Sequence, residues 1–396
     1  GVSHLVQSTR AGADYGMGLL WALILVNLFK YPFFEFGARY TGATGESLLD
    51  GYKRLGQTYI RLYFLLSLAT MFTIQTAVTI VTAGIANALF GDVNFLGLLD
   101  LGLSGTEVWT IIILSICLIT LLIGKYKALD KLIKIIIVLL AVSTLVAVIS
   151  ATNQFDDNWN FLPYWPENNT DLVFLIAFMG WMPAPIDVSV FHSLWAEKKG
   201  KSETAFNVKE ALFDFNIGYI ATIIIGVLFL CLGYLVMFGS GASFGSSAVE
   251  FAYQLIGLYT NALGGWSSVI ISIAALTAMF STTITTLDAS PRAMARSAFL
   301  IFDKGNKLNY LFWLLLLTLG TLMIFIFLAS EMALLIKIAT ILSFITAPFY
   351  AALNFWLVCS THTPEVSRPK KSMRLLSWGG LIFLLAFSTF YLISLI

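Results

Sequence analysis

Apolar runs of about 18 residues or more recur along the chain, separated by short connections that carry most of the charge. Each run can cross about 30 Å of hydrocarbon as a helix. In hydrocarbon every backbone N–H and C=O must be bonded within the protein, so only helices and closed barrels span it. Barrel strands would alternate polar and apolar residues in segments of about ten, and no such alternation occurs. The chain is therefore predicted to be an all-α polytopic membrane protein. Composition agrees: 58% of its residues are hydrophobic and 11% charged, against about 25% charged in a soluble domain. Cys117, Cys231 and Cys359 fall in separate apolar segments and read as small buried hydrophobes.

Spans are predicted at 17–38, 57–89, 108–123, 129–151, 172–194, 212–238, 265–288, 309–329, 332–358 and 376–396, with a half-span before the first. Lys and Arg cluster in alternate connections, around Lys53 and Arg54, Lys125 and Lys127, Lys198 and Lys199, Arg292 and Arg296, and Arg368 and Lys370. The intervening "GDVNFLGLLDLGLSGTE", "NQFDDNWNFLPYWPENNTD" and "GSGASFGSSAVE" hold acids and neither Lys nor Arg. The positive-inside rule places the basic connections in the cytoplasm, and a bacterial inner membrane is the expected location.

Two segments are interrupted. "FLIAFMGWMPAPIDVSVFHSLW" carries Pro183 and Pro185 in mid-span after Gly180. Proline lacks an N–H and clashes with the preceding turn, so span six is predicted to unwind near 180–185. The polar opening "GVSHLVQSTRAGADYG" is the second: Gly1 to His4 are predicted to be unwound and 5–12 to be the outer half of span one, with the inner half before residue 1. A lone proline would read as a simple kink. Paired breaks in matching positions point instead to an inverted-repeat transporter with its site at the breaks.

These segments resemble a known family. "STRAGADYGMGLLWALILVNL" with "ARYTGATG", "YKALDKLIKIIIVLLAVSTLV", "GWMPAPIDVSVFHSLW" and "AMFSTTITTLDA" are similar to helices one and two, five, six and eight of the natural resistance-associated macrophage protein (Nramp) family of divalent-metal transporters. The resemblance implies the leucine-transporter fold. Residues 1–151 would form the first inverted five-helix repeat, 152–358 the second, and 359–396 a basic loop and an eleventh helix. It also implies departures at the site. The family's Asp-Pro-Gly-Asn break aligns with Gly1, Val2, Ser3 and His4, and its helix-six Met with Met182. Two helix-six His positions fall on Ala184 and Ser189, a helix-ten Gln on Thr340, and two proton-linked acids of helix three on Gln75 and Val78. Mn²⁺ and Fe²⁺ favour carboxylate, carbonyl and imidazole ligands. Without the anionic oxygen, a divalent charge stays uncompensated at low dielectric.

Ionisable residues within spans are functional candidates by default. Lys30 and Glu35 are each expected to find a partner on a neighbouring helix. Asp187 and Asp288 are candidate proton or cation relays, or partners of Lys30. His4, at the presumed break, is a candidate substrate contact or pH-sensitive group. Arg10 and Lys337 are candidates to line an entrance that attracts anions, and the alternative for Arg10 is that it snorkels to the headgroups. The expected substrate contacts are Gly1, Ser3, His4, Met182, Ala184 and Thr340, and the expected coupling or gating residues are Arg10, Lys30, Gln75, Asp187, Asp288 and Lys337. Three functions remain open: a transporter diverged from transition metals, a divalent-metal (Mg²⁺-type) transporter with an altered site using His4, Met182, Thr340 and backbone carbonyls, and a non-transporting sensor or scaffold. No nucleophile–base pair suggests an enzyme. Cofactors and nucleic-acid partners are not expected; the partners are the lipid bilayer and a small solute or ion, bound by a monomer.

Overall fold

The computed structural model describes residues 1–100, 102–124, 127–153, 159–202, 207–241, 244–245, 247–302, 308–328 and 332–394. The long apolar runs are helices. A π-helical turn, Ser3–Ser8, leads into α1 (Thr9–Tyr15), and α2 (Leu20–Thr44), α3 (Leu48–Leu55), α4 (Gln57–Phe90), α5 (Gly105–Ile123) and α6 (Lys127–Asn153) follow. The second half comprises α7 (Asn169–Trp181), α8 (Val188–Ser202), α9 (Val208–Met237), α10 (Ala248–Leu263), α11 (Ser267–Phe302), α12 (Tyr310–Leu328) and α13 (Met332–Cys359), with α14 (Lys371–Ser394) after it. Among the described residues, eight helical segments are long and apolar enough to cross a membrane, and α7 and 310–326 are shorter apolar helices.

Local chemistry sets the ends. Ser104 and Glu107 form a reciprocal capping box at the start of α5, which ends on the left-handed Gly124. Asn168 caps α7 through the Asp171 N–H, and Asn207 caps α9 through Lys209 and Glu210.

Two predicted boundaries are corrected. Span eight, expected to end at 288, continues to Phe302 because Ala289, Ala293, Met294, Ser297 and Ala298 remain buried. The connection after span seven contains α10, whose buried Ala248, Phe251, Ala252, Leu255, Leu258, Tyr259 and Ala262 follow a helical stripe.

Packing in hydrocarbon relies on close backbone approach. A Cβ on Gly12 would lie 2.0 Å from Leu230 O, and one on Gly233 would lie 2.2 Å from Thr9 O, so α1 and α9 meet backbone to backbone. The buried apolar side chains form large clusters, and Trp181 belongs to one and Met182 to another. The break in span six therefore sits on the seam between two cores.

Candidate functional site

Span six breaks because of its prolines. Met182 N donates to Phe178 O at 3.2 Å in the last helical bond of α7. The chain is non-helical over 182–187 before α8 begins. Pro183 has no N–H for the Met179 carbonyl, and Pro185 has none for that of Trp181. The unwound stretch is two residues later than predicted, since Gly180 and Trp181 still close helical turns.

Lys30 of α2 supplies the missing donor. Its side chain is 0% exposed, and Nζ donates to Met179 O at 2.7 Å, Gly180 O at 2.8 Å and Ala184 O at 3.3 Å. All three ammonium protons are thereby used. No ion pair joins Lys30 to Asp187, which corrects one expectation. Asp187 is 6% exposed, and its Oδ1 has no hydrogen-bond partner among the described residues. Span ten closes the other side: a Cβ on Gly180 would lie 2.2 Å from Thr340 O, so only glycine lets these backbones touch.

The start of the chain also differs from expectation. Ser3 and His4 are not unwound but lie in the π-helical turn. Ser8 Oγ donates to Ser3 O at 3.3 Å and Thr9 Oγ1 to His4 O at 3.4 Å. Hydroxyls five residues on thus reach the carbonyls of a widened turn, which keeps it helical. Ser3 Oγ donates to Pro183 O at 3.1 Å and lies 2.8 Å from His4 Nδ1. His4 Nε2 is 3.0 Å from Thr222 O. A carbonyl can only accept, so Nε2 carries the proton. His4 and Ser3 thus tie span one to the break and to span seven.

Residues 1–394 match the natural resistance-associated macrophage protein-like (Nramp) family. The chain belongs to the Nramp family. An uncharacterized protein of Pasteurella multocida is 34% identical over 401 residues, covering 99% of this chain and 88% of that relative. Two crystal structures of an Eremococcus coleocola manganese transporter, one a mutant and one in complex with an aromatic bis-isothiourea substituted compound, superpose with TM-scores of 0.72 and 0.70. Each is 16% identical and covers 98% of this chain and 82% of its own. The fold is that of the leucine transporter, and the Nramp chain is an integral multi-pass membrane protein of a transporter family.

A cavity of about 360 Å³ borders the break of this Nramp chain, with Gly1, Ser3, His4, Ala184, Asp187 and Thr282 on its wall. Five of these were predicted from sequence, and Thr282 comes from the Ser/Thr-rich span eight. Met182 and Thr340 are not on that wall. Met182 is fully buried, and its Sδ shares with His4 Cδ2 and Leu23 Cδ1 a point beside Gly226, 3.5 Å from each. Thr340 Oγ1 donates to Ile336 O at 2.7 Å and Lys337 O at 3.0 Å, because a threonine in a helix satisfies itself on the preceding turn.

Gln75, Asp288, Glu35 and Arg10 have structural partners. Gln75 Nε2 donates to Thr283 O and Thr79 Oγ1, each at 3.2 Å, and Oε1 accepts from Thr286 Oγ1 at 2.7 Å, which joins α4 to α11. Asp288 pairs with Arg292 at 2.7 Å and accepts from Tyr310 at 2.6 Å, in place of Lys30. Glu35 pairs with Arg39 on its own helix, where the four-residue spacing brings them together, rather than with a neighbouring one. Arg10 Nη2 donates to Phe244 O at 3.4 Å and Lys337 is exposed, and neither is on the cavity wall. Sequence reasoning did not single out Thr222, Tyr63, Ser67 or Tyr350. For the tyrosines a signal existed: a hydroxyl within an apolar span needs a partner.

Proposed function

We propose that the chain is a secondary transporter that moves a small solute, other than a bare transition-metal ion, past the broken span six. One observation carries this reading: the Lys30 ammonium is bonded to the carbonyls of Met179 and Gly180 at 2.7 and 2.8 Å. In this type of fold, half-helix C-terminal carbonyls and unwound backbone coordinate cations. Here a tethered cation already occupies them, and a divalent ion brought there would meet a like charge at low dielectric. His4 agrees with this, since its Nε2 is spent on Thr222 O at 3.0 Å. Among the described residues no group of three His, Cys, Asp or Glu side chains is placed to hold a metal.

The altered-site metal reading has one observation in its favour, the Met182 sulfur and the His4 ring both bordering Gly226. Calorimetry of the purified chain with Mn²⁺, Cd²⁺ and Mg²⁺ separates the two. The expected result is no saturable binding. Saturable Mn²⁺ binding that disappears in Met182→Ala would overturn the proposal and favour the metal reading. In the proposed arrangement the chain works as a monomer in the bacterial inner membrane, with its basic connections cytoplasmic and no cofactor.

A further inference from the structure

The wall of the cavity beside the break narrows the class of solute. The volume of about 360 Å³ lies at the low end of the range for small-molecule pockets, about 300–1,000 Å³, and far exceeds what a bare ion fills. Most of the wall is carbon, with Leu5, Val78, Leu140 and Ile225 beside the aromatic Trp181, Phe191 and Phe229. Burying an apolar body of several carbons is therefore favourable there.

The polar groups of the wall accept rather than donate. Thr222 Oγ1 gives its proton to Gly218 O at 2.7 Å, Thr282 Oγ1 to Ala278 O at 3.0 Å and Thr286 Oγ1 to Gln75 Oε1 at 2.7 Å. A hydroxyl that donates to another oxygen keeps its lone pairs for a ligand. The ring N–H groups are spent as well, Trp181 Nε1 on Ser343 Oγ at 2.9 Å and His4 Nε2 on Thr222 O at 3.0 Å. At the start of α8 the N–H groups of Val188, Ser189 and Val190 are bonded to the carbonyls of Pro185, Ile186 and Asp187. That helix end therefore lacks the free N–H groups that would seat an anion.

Asp187 adds a negative charge to the same wall. It is 6% exposed, and its Oδ1 has no hydrogen-bond partner among the described residues. The backbone N–H groups of Asp187 and Val188 lie beside the carboxylate, which has about four acceptor positions. Lys30 acts on it electrostatically but is not on the wall, and its three N–H groups are spent on carbonyls. The cavity thus lacks a cationic donor. With Lys30 close by, a monovalent cation adds half the excess charge of a divalent one to a buried site.

Building on the solute reading, we propose that the cavity binds a small organic amine in its ammonium form. Its N–H groups bond to Asp187 and to threonine oxygens of α11, and its apolar body lies against the carbon wall. Aromatic rings on that wall favour a cation further.

Calorimetry of the purified full chain in mixed micelles tests this, with phenethylammonium chloride as the probe and protein-free micelles as the blank. 2-Phenylethanol and phenylacetate keep the apolar body and replace the ammonium with a hydroxyl or a carboxylate. The expected result is saturable binding of phenethylammonium, about tenfold weaker binding of 2-phenylethanol and none of phenylacetate, since a charge-assisted bond is worth about a factor of ten. Asp187→Asn is expected to weaken amine binding about tenfold and to leave the alcohol unchanged. No saturable amine binding overturns the proposal, as do equal binding of amine and alcohol, a preference for phenylacetate, or full amine affinity in Asp187→Asn. The comparison of amine and alcohol on the parent chain decides the matter if Asp187→Asn does not fold. Saturable binding of the alcohol or the carboxylate without preference for the amine overturns the amine proposal and leaves the solute reading standing. Mn²⁺ binding that is lost in Met182→Ala overturns the solute reading itself.

Discussion

Lys30→Met keeps the length of the side chain and removes its ammonium, leaving the Met179 and Gly180 carbonyls without their donor. Pro183 has no N–H to offer Met179, so the loss is not repaired within α7. Charge-assisted bonds to two carbonyls are together worth about 3–6 kcal/mol. The contact to Ala184 O at 3.3 Å is longer and adds little. Against this, deleting a buried ammonium recovers part of a desolvation cost of several kcal/mol. The net expectation is a loss of about 3 kcal/mol. Asp187 is then a buried charge without its nearest counter-charge, so the double variant Lys30→Met with Asp187→Asn should lose less than the two single losses summed. Equilibrium unfolding in mixed micelles measures all three. A Lys30→Met protein within about 0.5 kcal/mol of the parent would refute the idea that Lys30 holds the break open by replacing the donor proline removed.

Two further predictions concern spans one and six. Tyr164 donates to Asp171, and chiefly through that bond its hydroxyl is pushed up to about 12. A tyrosine whose folded-state value lies above the unfolded value of about 10 contributes stability that is complete below about pH 10 and fades as pH rises toward 12. Phenolate absorbance should show the late titration, and Asp171→Asn should return it to the ordinary range; an unchanged titration in that variant would count against the bond. Gly12→Ala puts a methyl group 2.0 Å from Leu230 O and should cost about 1–3 kcal/mol through overpacking. Unfolding at parent stability would show that α1 and α9 are not in backbone contact.

Several of the ion pairs were legible without a fold. Glu35 with Arg39 and Asp288 with Arg292 are four residues apart on continuous helices, a spacing that brings side chains together on any helix. Assigning these acids to other helices overlooked that local solution. The helix α10 was harder to see, because its amphipathic stripe follows a polar Gly/Ser stretch within what hydropathy reads as a connection.

The sequence by itself determined the class, the approximate spans and the break in span six. Each rests on a local property: an apolar run must cover hydrocarbon, and a proline has no N–H wherever it stands. Only the tertiary structure decided what repairs the break. Lys30 is 149 residues from Met179, and His4 meets a carbonyl 218 residues away. Such partners are chosen by helix packing, since inside a membrane a polar group takes whatever donor or acceptor the neighbouring helix brings within reach.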